Sequence, residues 1–228
     1  MASRTKIKRR NFIIQIFALS LGSITLGACF NRGKEKNSRR IEGSQEPGFE
    51  NSLLKNREMP RELLMKLLDQ KVDHYMQLSN NCAQSSYLAL SEQFEINNEE
   101  VLKALTPLPG MAERGKTCGA LTGPLMVFGQ IYGRGKNNLH DWDIYRDSLI
   151  SSGKFCQHFE QAFGSTSCHD IQESEFGRSY QLNNPEDLRK FQEADATGKC
   201  STVVRKAVRM AAEIILNDQN TANEVQKS

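Results

Sequence analysis

The chain has 228 residues, a formal net charge of +3, 38% hydrophobic residues and 25% charged residues. This balance is typical of one globular domain with an appendage, and it excludes a collagen, a multi-span membrane protein and a wholly disordered chain. Five of the 30 basic residues lie before residue 11, and the other 25 are balanced by 27 acidic residues. No basic surface is left to neutralise phosphates, so we expect no nucleic-acid partner.

Residues 1–28 combine a basic head with the apolar run NFIIQIFALSLGSITLGA, which predicts an export signal. Arg9 and Arg10 precede Asn-Phe-Ile-Ile and resemble the twin-arginine motif, although the general export route is an equal alternative. Residues 26–29, Leu-Gly-Ala-Cys, resemble a lipobox in which Cys29 carries the lipid. An uncleaved anchor helix is the other interpretation, but polar residues and glycines interrupt the run. We expect an exported lipoprotein of the cell envelope, held at the membrane and facing the periplasm or the outer side.

The rest of the chain divides into three parts. Residues 29–58 are polar and charged, and we expect a flexible tether because they offer little apolar surface to bury. Residues 59–217 are long enough for one domain with its own core. Residues 218–228 form a polar tail.

The domain is predicted to be all-α, a single bundle of about six to seven helices. Pro60 suits a first helical turn, and Asn81 and Asn98 suit N-caps of the next two helices. Residues 118–132 are apolar on nearly every face, which predicts a helix at the centre of the bundle. No segment alternates at period two, so no strand is predicted.

Three further helices follow in the second half of the domain. Asp141 opens a long helix that Gly164 ends, and Asn184 before Pro185 starts a short one. The last helix is predicted from about Ser201, because apolar residues recur there at helical spacing.

Five cysteines fall within this domain. Cys156 lies on the apolar stripe of the long helix, where a free cysteine behaves as a small hydrophobe. Cys82, Cys118 and Cys200 stand at predicted helix starts, and Cys168 stands in the turn after the long helix. Helix N-termini stabilise thiolates through free N–H groups and the positive end of the dipole. We therefore predict that these four thiols meet at one end of the bundle.

The same cysteines carry a resemblance to a known family. The segments around them read NCAQ at 81–84, GKTCGALTG at 115–123, FGSTSC at 163–168 and KC at 199–200. They resemble the bacterial C-GCAxxG-C-C family of redox-active proteins over roughly residues 75–215. Two positions depart from the family name, since Thr117 replaces Gly and Gly119 replaces Ala. The resemblance implies redox chemistry or metal binding at the four cysteines and supplies no substrate.

The central helix contains two glycines four residues apart, Gly119 and Gly123, followed by Pro124. Without side chains there, a neighbouring backbone or an inorganic cofactor can approach closely, and tight helix packing alone is the simpler interpretation. We therefore count both glycines as candidate cofactor-binding residues beside Cys118.

Three chemistries suit four thiols in this setting. Cys82, Cys118, Cys168 and Cys200 are candidate ligands of an iron–sulfur cluster or zinc, although the chain has no C-x-x-C pair. The same residues are candidate catalytic thiols of dithiol–disulfide exchange with a redox partner protein. Two structural disulfides are the third possibility, in which case the chain is a non-enzymatic envelope lipoprotein that binds a partner.

Overall fold

The computed structural model describes residues 47–218 and confirms the all-α prediction. It contains ten α-helices, eight of which have at least seven residues, and no β-strand in this part of the chain. In chain order the helices are α1 Pro47–Glu58, α2 Arg61–Ser79, α3 Cys82–Gln93, α4 Glu99–Ala104, α5 Gly110–Glu113, α6 Gly119–Tyr132, α7 Trp142–Phe163, α8 Cys168–Phe176, α9 Pro185–Glu193 and α10 Ala196–Leu216. The sequence predicts six to seven helices, and α1, α5 and α8 are not among them.

Four predictions fall on residues that are not described. They are the export signal 1–28, the lipidated Cys29, residues 29–46 of the tether and residues 219–228 of the tail. Within residues 47–218, no helix has both the length and the apolar character that crossing a membrane requires.

The predicted helix caps form the expected hydrogen bonds. The side-chain oxygens of Asn81, Asn98 and Asp141 each accept hydrogen bonds from two backbone N–H groups at the start of α3, α4 and α7. Each such cap stabilises its helix by about 1 kcal/mol. Gly164 ends α7 with φ at 73°, a left-handed conformation that glycine adopts without steric penalty.

Two helices organise the core. Helix α6 is buried along most of its length and packs against α3, α7 and α10, as its apolar sequence predicted. Helix α10 packs against six others, namely α1, α2, α3, α6, α7 and α9. The apolar face of α10 includes Val204, Ala207, Val208 and Ala211, all fully buried.

The tether prediction is wrong for residues 47–58, which form α1. Phe49 and Leu53 lie four residues apart on this helix and are each 1% exposed. Phe49 packs against Phe94 with ring centroids 6.4 Å apart, and the Ser52 hydroxyl donates to the Phe94 carbonyl at 2.7 Å. Two large apolar residues at helical spacing are enough to dock a polar helix on the bundle, and average composition does not reveal them.

Candidate thiol site

Each of the four cysteines lies near a helix start, as predicted for Cys82 and Cys118, while Cys168 and Cys200 differ from their predicted positions. Cys82 and Cys168 are the first residues of α3 and α8, and Cys118 is the N-cap of α6. Cys200 was predicted to open the last helix, and this is wrong because α10 begins at Ala196. Cys168, predicted in a turn, instead begins a helix because Ser167 caps it by accepting from the Asp170 N–H.

The loops that carry Cys118 and Cys168 are hydrogen-bonded to each other. An antiparallel bridge joins Thr117 to Ser167. On either side of this bridge, the Cys118 N–H donates to the Thr166 carbonyl at 2.9 Å and the Cys168 N–H donates to the Lys116 carbonyl at 2.6 Å. Two cysteines that are 50 residues apart in sequence are therefore fixed in adjacent backbone segments.

Helices α3 and α6 approach closely where the two glycines lie. A Cβ atom on Gly119 would lie 2.3 Å from the Cys82 Sγ, and one on Gly123 would lie 2.3 Å from the Ala83 carbonyl oxygen. Helix α3 therefore fills the space that the glycines leave, and tight helix packing accounts for both. The room for a cofactor that the sequence suggested beside Gly119 and Gly123 is taken by α3, and the same contact brings Cys82 to the start of α6.

The Cys82 and Cys118 thiols form an asymmetric pair. A hydrogen bond from Cys118 is the largest effect lowering the pKa of Cys82, and the N–H groups of Gly119, Cys82 and Ala83 lower it further. The same hydrogen bond, together with burial, raises the pKa of Cys118 well above its usual value. Cys118 is 6% exposed, whereas Cys82 is half-buried. The geometry therefore favours a thiolate on Cys82 and a proton on Cys118.

The pKa values of Cys168 and Cys200 are raised, in contrast to the lowered pKa of Cys82. Burial raises the pKa of Cys168 to about 12, and the charges of Cys82 and Glu113 act in the same direction. Burial likewise raises the pKa of Cys200, with further contributions from Cys82, Cys168 and Glu175. All four thiols thus lie within electrostatic range of at least one other, and the raised pKa values of Cys118, Cys168 and Cys200 favour their protonated forms.

Three of these thiols open into one pocket. Its empty volume is about 550 Å³, part of which is open to solvent. Cys82, Cys168 and Cys200 line it, while Cys118 lies behind Cys82 and is absent from the lining. The other walls are mainly apolar and include Met76, Pro109, Tyr180, Leu182 and Phe191.

One wall of the pocket is an unusual turn. All four residues of α5, Gly110–Glu113, have positive φ between 52° and 60°, so α5 is a left-handed turn. Three of them are not glycines, and each such residue costs about 1–2 kcal/mol in this conformation. The sequence Pro107-Leu-Pro109-Gly110 predicted only a break in the chain, so the contribution of Glu113 to the pocket was missed.

Neither Cys156 nor His169, the histidine that follows Cys168, lines this pocket. Cys156 is half-buried on α7, where burial raises the pKa of its thiol, and it does not line the pocket. His169 is 51% exposed and lies near Asp170 and Glu173.

The side chains as placed do not fit a bound metal. Among residues 47–218, no group of three or more His, Cys, Asp or Glu side chains is positioned to hold a metal ion. The five described cysteines are free thiols in this structure. What the arrangement offers is a close thiol pair, one member of which lines a pocket together with two further thiols.

Comparison with protein families identifies the cysteine pattern. A family model described as "Putative redox-active protein (C_GCAxxG_C_C)" matches residues 80–214, which include all four cysteines. Searches of curated proteins and of solved structures gave no significant match.

Proposed function

The chain belongs to the C_GCAxxG_C_C family of redox-active proteins, and on that premise we propose that it catalyses dithiol–disulfide exchange. In this proposal Cys82 is the attacking thiol and Cys118 is the resolving thiol. The single observation that carries it is the position of the Cys82 Sγ, which lies against Gly119, the residue after Cys118, with Cys82 lining the pocket and Cys118 outside the lining.

The chemistry of such a pair is balanced in two steps. The Cys82 thiolate attacks one sulfur of a substrate disulfide, so that a mixed disulfide forms and one substrate thiolate leaves. Cys118 then loses its proton to that thiolate or to water and attacks the Cys82 sulfur. The second substrate thiol is released, and a Cys82–Cys118 disulfide remains. The substrate gains two electrons and one proton from the pair and takes its second proton from water, and a dithiol on a partner protein returns the two electrons by the same exchange in reverse.

The geometry suits these roles. The attacking thiol of such enzymes needs a lowered pKa and access to substrate, and Cys82 has both because it begins α3 beside the pocket. A resolving thiol needs proximity more than access, which is the situation of the buried Cys118. An iron–sulfur cluster or zinc on the four cysteines is the alternative that the sequence suggests, but the side chains of residues 47–218 do not form such a ligand set.

We propose that this exchange reaction takes place in the cell envelope. The export signal 1–28 and the lipobox ending at Cys29 support a lipid-anchored protein outside the cytoplasm. In that compartment disulfides persist, so an exposed exchange site meets oxidised partners.

The test uses the purified chain and three single variants. Wild type treated with a small disulfide is expected to yield a Cys82–Cys118 disulfide by peptide mapping. Cys118→Ser is expected to accumulate the mixed disulfide on Cys82, and Cys82→Ser to give neither product. Cys156→Ser serves as the matched control and should behave as wild type.

Two results would overturn the proposal. One is a wild-type protein whose Cys82 stays unmodified while other cysteines react. The other is a purified protein that contains stoichiometric iron or zinc and loses it when any one of the four cysteines is replaced by Ser.

A further inference from the structure

Helix α8 carries a glutamine that is buried beside the thiol pocket. Gln172 is 3% exposed and lies one helical turn after Cys168. A primary amide in such a place requires hydrogen-bond partners, because an unsatisfied buried polar group costs about 1–3 kcal/mol. The hydrogen-bond partners of Gln172 therefore indicate its structural role.

Both ends of the Gln172 amide are engaged. Its Oε1 accepts a hydrogen bond from the Tyr180 backbone N–H at 2.8 Å, and its Nε2 donates to the Cys168 Sγ at 3.5 Å. The orientation of the amide follows from chemistry, since a backbone N–H is a donor only and must face the oxygen. The amino group is therefore directed to the sulfur.

The Tyr180 segment forms a wall of the pocket that is separate from the main core. Tyr180, Phe191 and Ala196 make a small cluster of their own, against which Phe176, Leu182 and Cys200 pack. The ring centroids of Tyr180 and Phe191 are 5.4 Å apart, nearly perpendicular. Gln172 connects the backbone of this wall to α8, on the side where Cys168 lies.

From this geometry we infer that Gln172 is a positioning residue of the exchange site, which holds the Cys168 sulfur and the Tyr180 wall through one side chain. The inference rests on the proposed function, because it assigns Gln172 to the site where exchange takes place. A donor aimed at sulfur stabilises the thiolate relative to the thiol, so Gln172 makes Cys168 easier to deprotonate inside a buried pocket.

Two substitutions separate the two halves of this role. Gln172→Glu keeps an oxygen for the Tyr180 N–H and replaces the donor at the sulfur by a second oxygen. Gln172→Met has a similar length and removes both hydrogen bonds. Gln157→Glu changes the same residue type on the exposed side of α7 and is the control for added charge.

The two measurements are alkylation of Cys168 by iodoacetamide at several pH values between 8 and 11, and hydrogen–deuterium exchange of the Tyr180 amide. For Gln172→Glu we expect Cys168 alkylation about threefold to tenfold slower, with Tyr180 amide protection retained. For Gln172→Met we expect slower alkylation together with lost protection. The control should match wild type in both.

A purely structural glutamine would give another pattern. If both Gln172 variants alter amide protection while the pH profile of Cys168 alkylation stays at the wild-type position, the inference is refuted. Peptide mapping of the Cys82–Cys118 disulfide in the same samples keeps the two ideas apart. Its absence in wild type refutes the proposed function, whereas its presence with an unchanged Cys168 profile refutes only the role of Gln172.

Discussion

Replacing Gly123 by alanine tests the contact that brings α3 to the start of α6. The new Cβ would lie 2.1 Å from the Ser86 Oγ and 2.3 Å from the Ala83 carbonyl oxygen. Normal contacts at such atoms are about 3.4 Å, so the two helices must separate by about 1 Å. The Ser86 side chain can rotate, but the Ala83 carbonyl is backbone and moves only with its helix.

The magnitude follows from two opposing effects. Overpacking of this kind destabilises by about 1–3 kcal/mol, and a clash with backbone belongs at the upper end. Alanine recovers about 0.5–1 kcal/mol because it is a better helix former than glycine. We therefore expect Gly123→Ala to lower the free energy of unfolding by about 2 kcal/mol.

Gly129 provides the matched control in the same helix. It is exposed, and a Cβ there would have no neighbour within 4 Å. Gly129→Ala should therefore raise the free energy of unfolding by about 0.5–1 kcal/mol. Urea unfolding followed by circular dichroism measures both variants. The packing argument fails if Gly123→Ala is as stable as Gly129→Ala.

Four further outcomes are expected. Alkylation of Cys82 should have its midpoint below pH 9.0 and that of Cys168 near pH 12, as measured by peptide mass spectrometry, and equal midpoints would contradict the asymmetry. The folded-state pKa of Cys168 is raised above the ordinary thiol value, so its stabilising contribution is complete below pH 9 and is lost between pH 9 and about 12. Urea unfolding midpoints should therefore fall over that pH range, and they should fall less in Cys168→Ala. Cys156→Ala should keep the exchange reaction while it destabilises the fold by about 1–2 kcal/mol, and loss of exchange would bring Cys156 into the site. Mass spectrometry of the mature protein should find a lipidated Cys29 at its N-terminus, and an unlipidated soluble chain that begins elsewhere would remove the anchor.

The sequence predicts the parts of this fold that depend on neighbouring residues. Asn81, Asn98 and Asp141 are recognisable as caps because a cap needs only its own side chain and the next turn of helix. The sequence predicts too late a start for α10, since Thr197 and Gly198 are weak helix formers that the fold nevertheless holds in helical conformation.

The candidate site is likewise only partly predictable from the sequence. The four cysteines are identifiable from their spacing and family motif, and the family match includes all of them. The pairing of Cys82 with Cys118 was not predictable, because it depends on how closely α3 and α6 pack at Gly119. The positions of Gln172 and Glu113 in the pocket lining were not predictable either, because a glutamine in a helix and an acid after a proline-rich turn carry no local signal of a pocket.

The position of α10 in the chain has a consequence for biosynthesis. Of the ten described helices it is the last to leave the ribosome, yet six of the others pack against it. The faces that they turn to α10 stay uncovered until residues 196–216 have been made, so the bundle cannot close before that point. Cys200 also arrives with this helix. The nascent chain therefore carries Cys82, Cys118 and Cys168 before the pocket around them is complete.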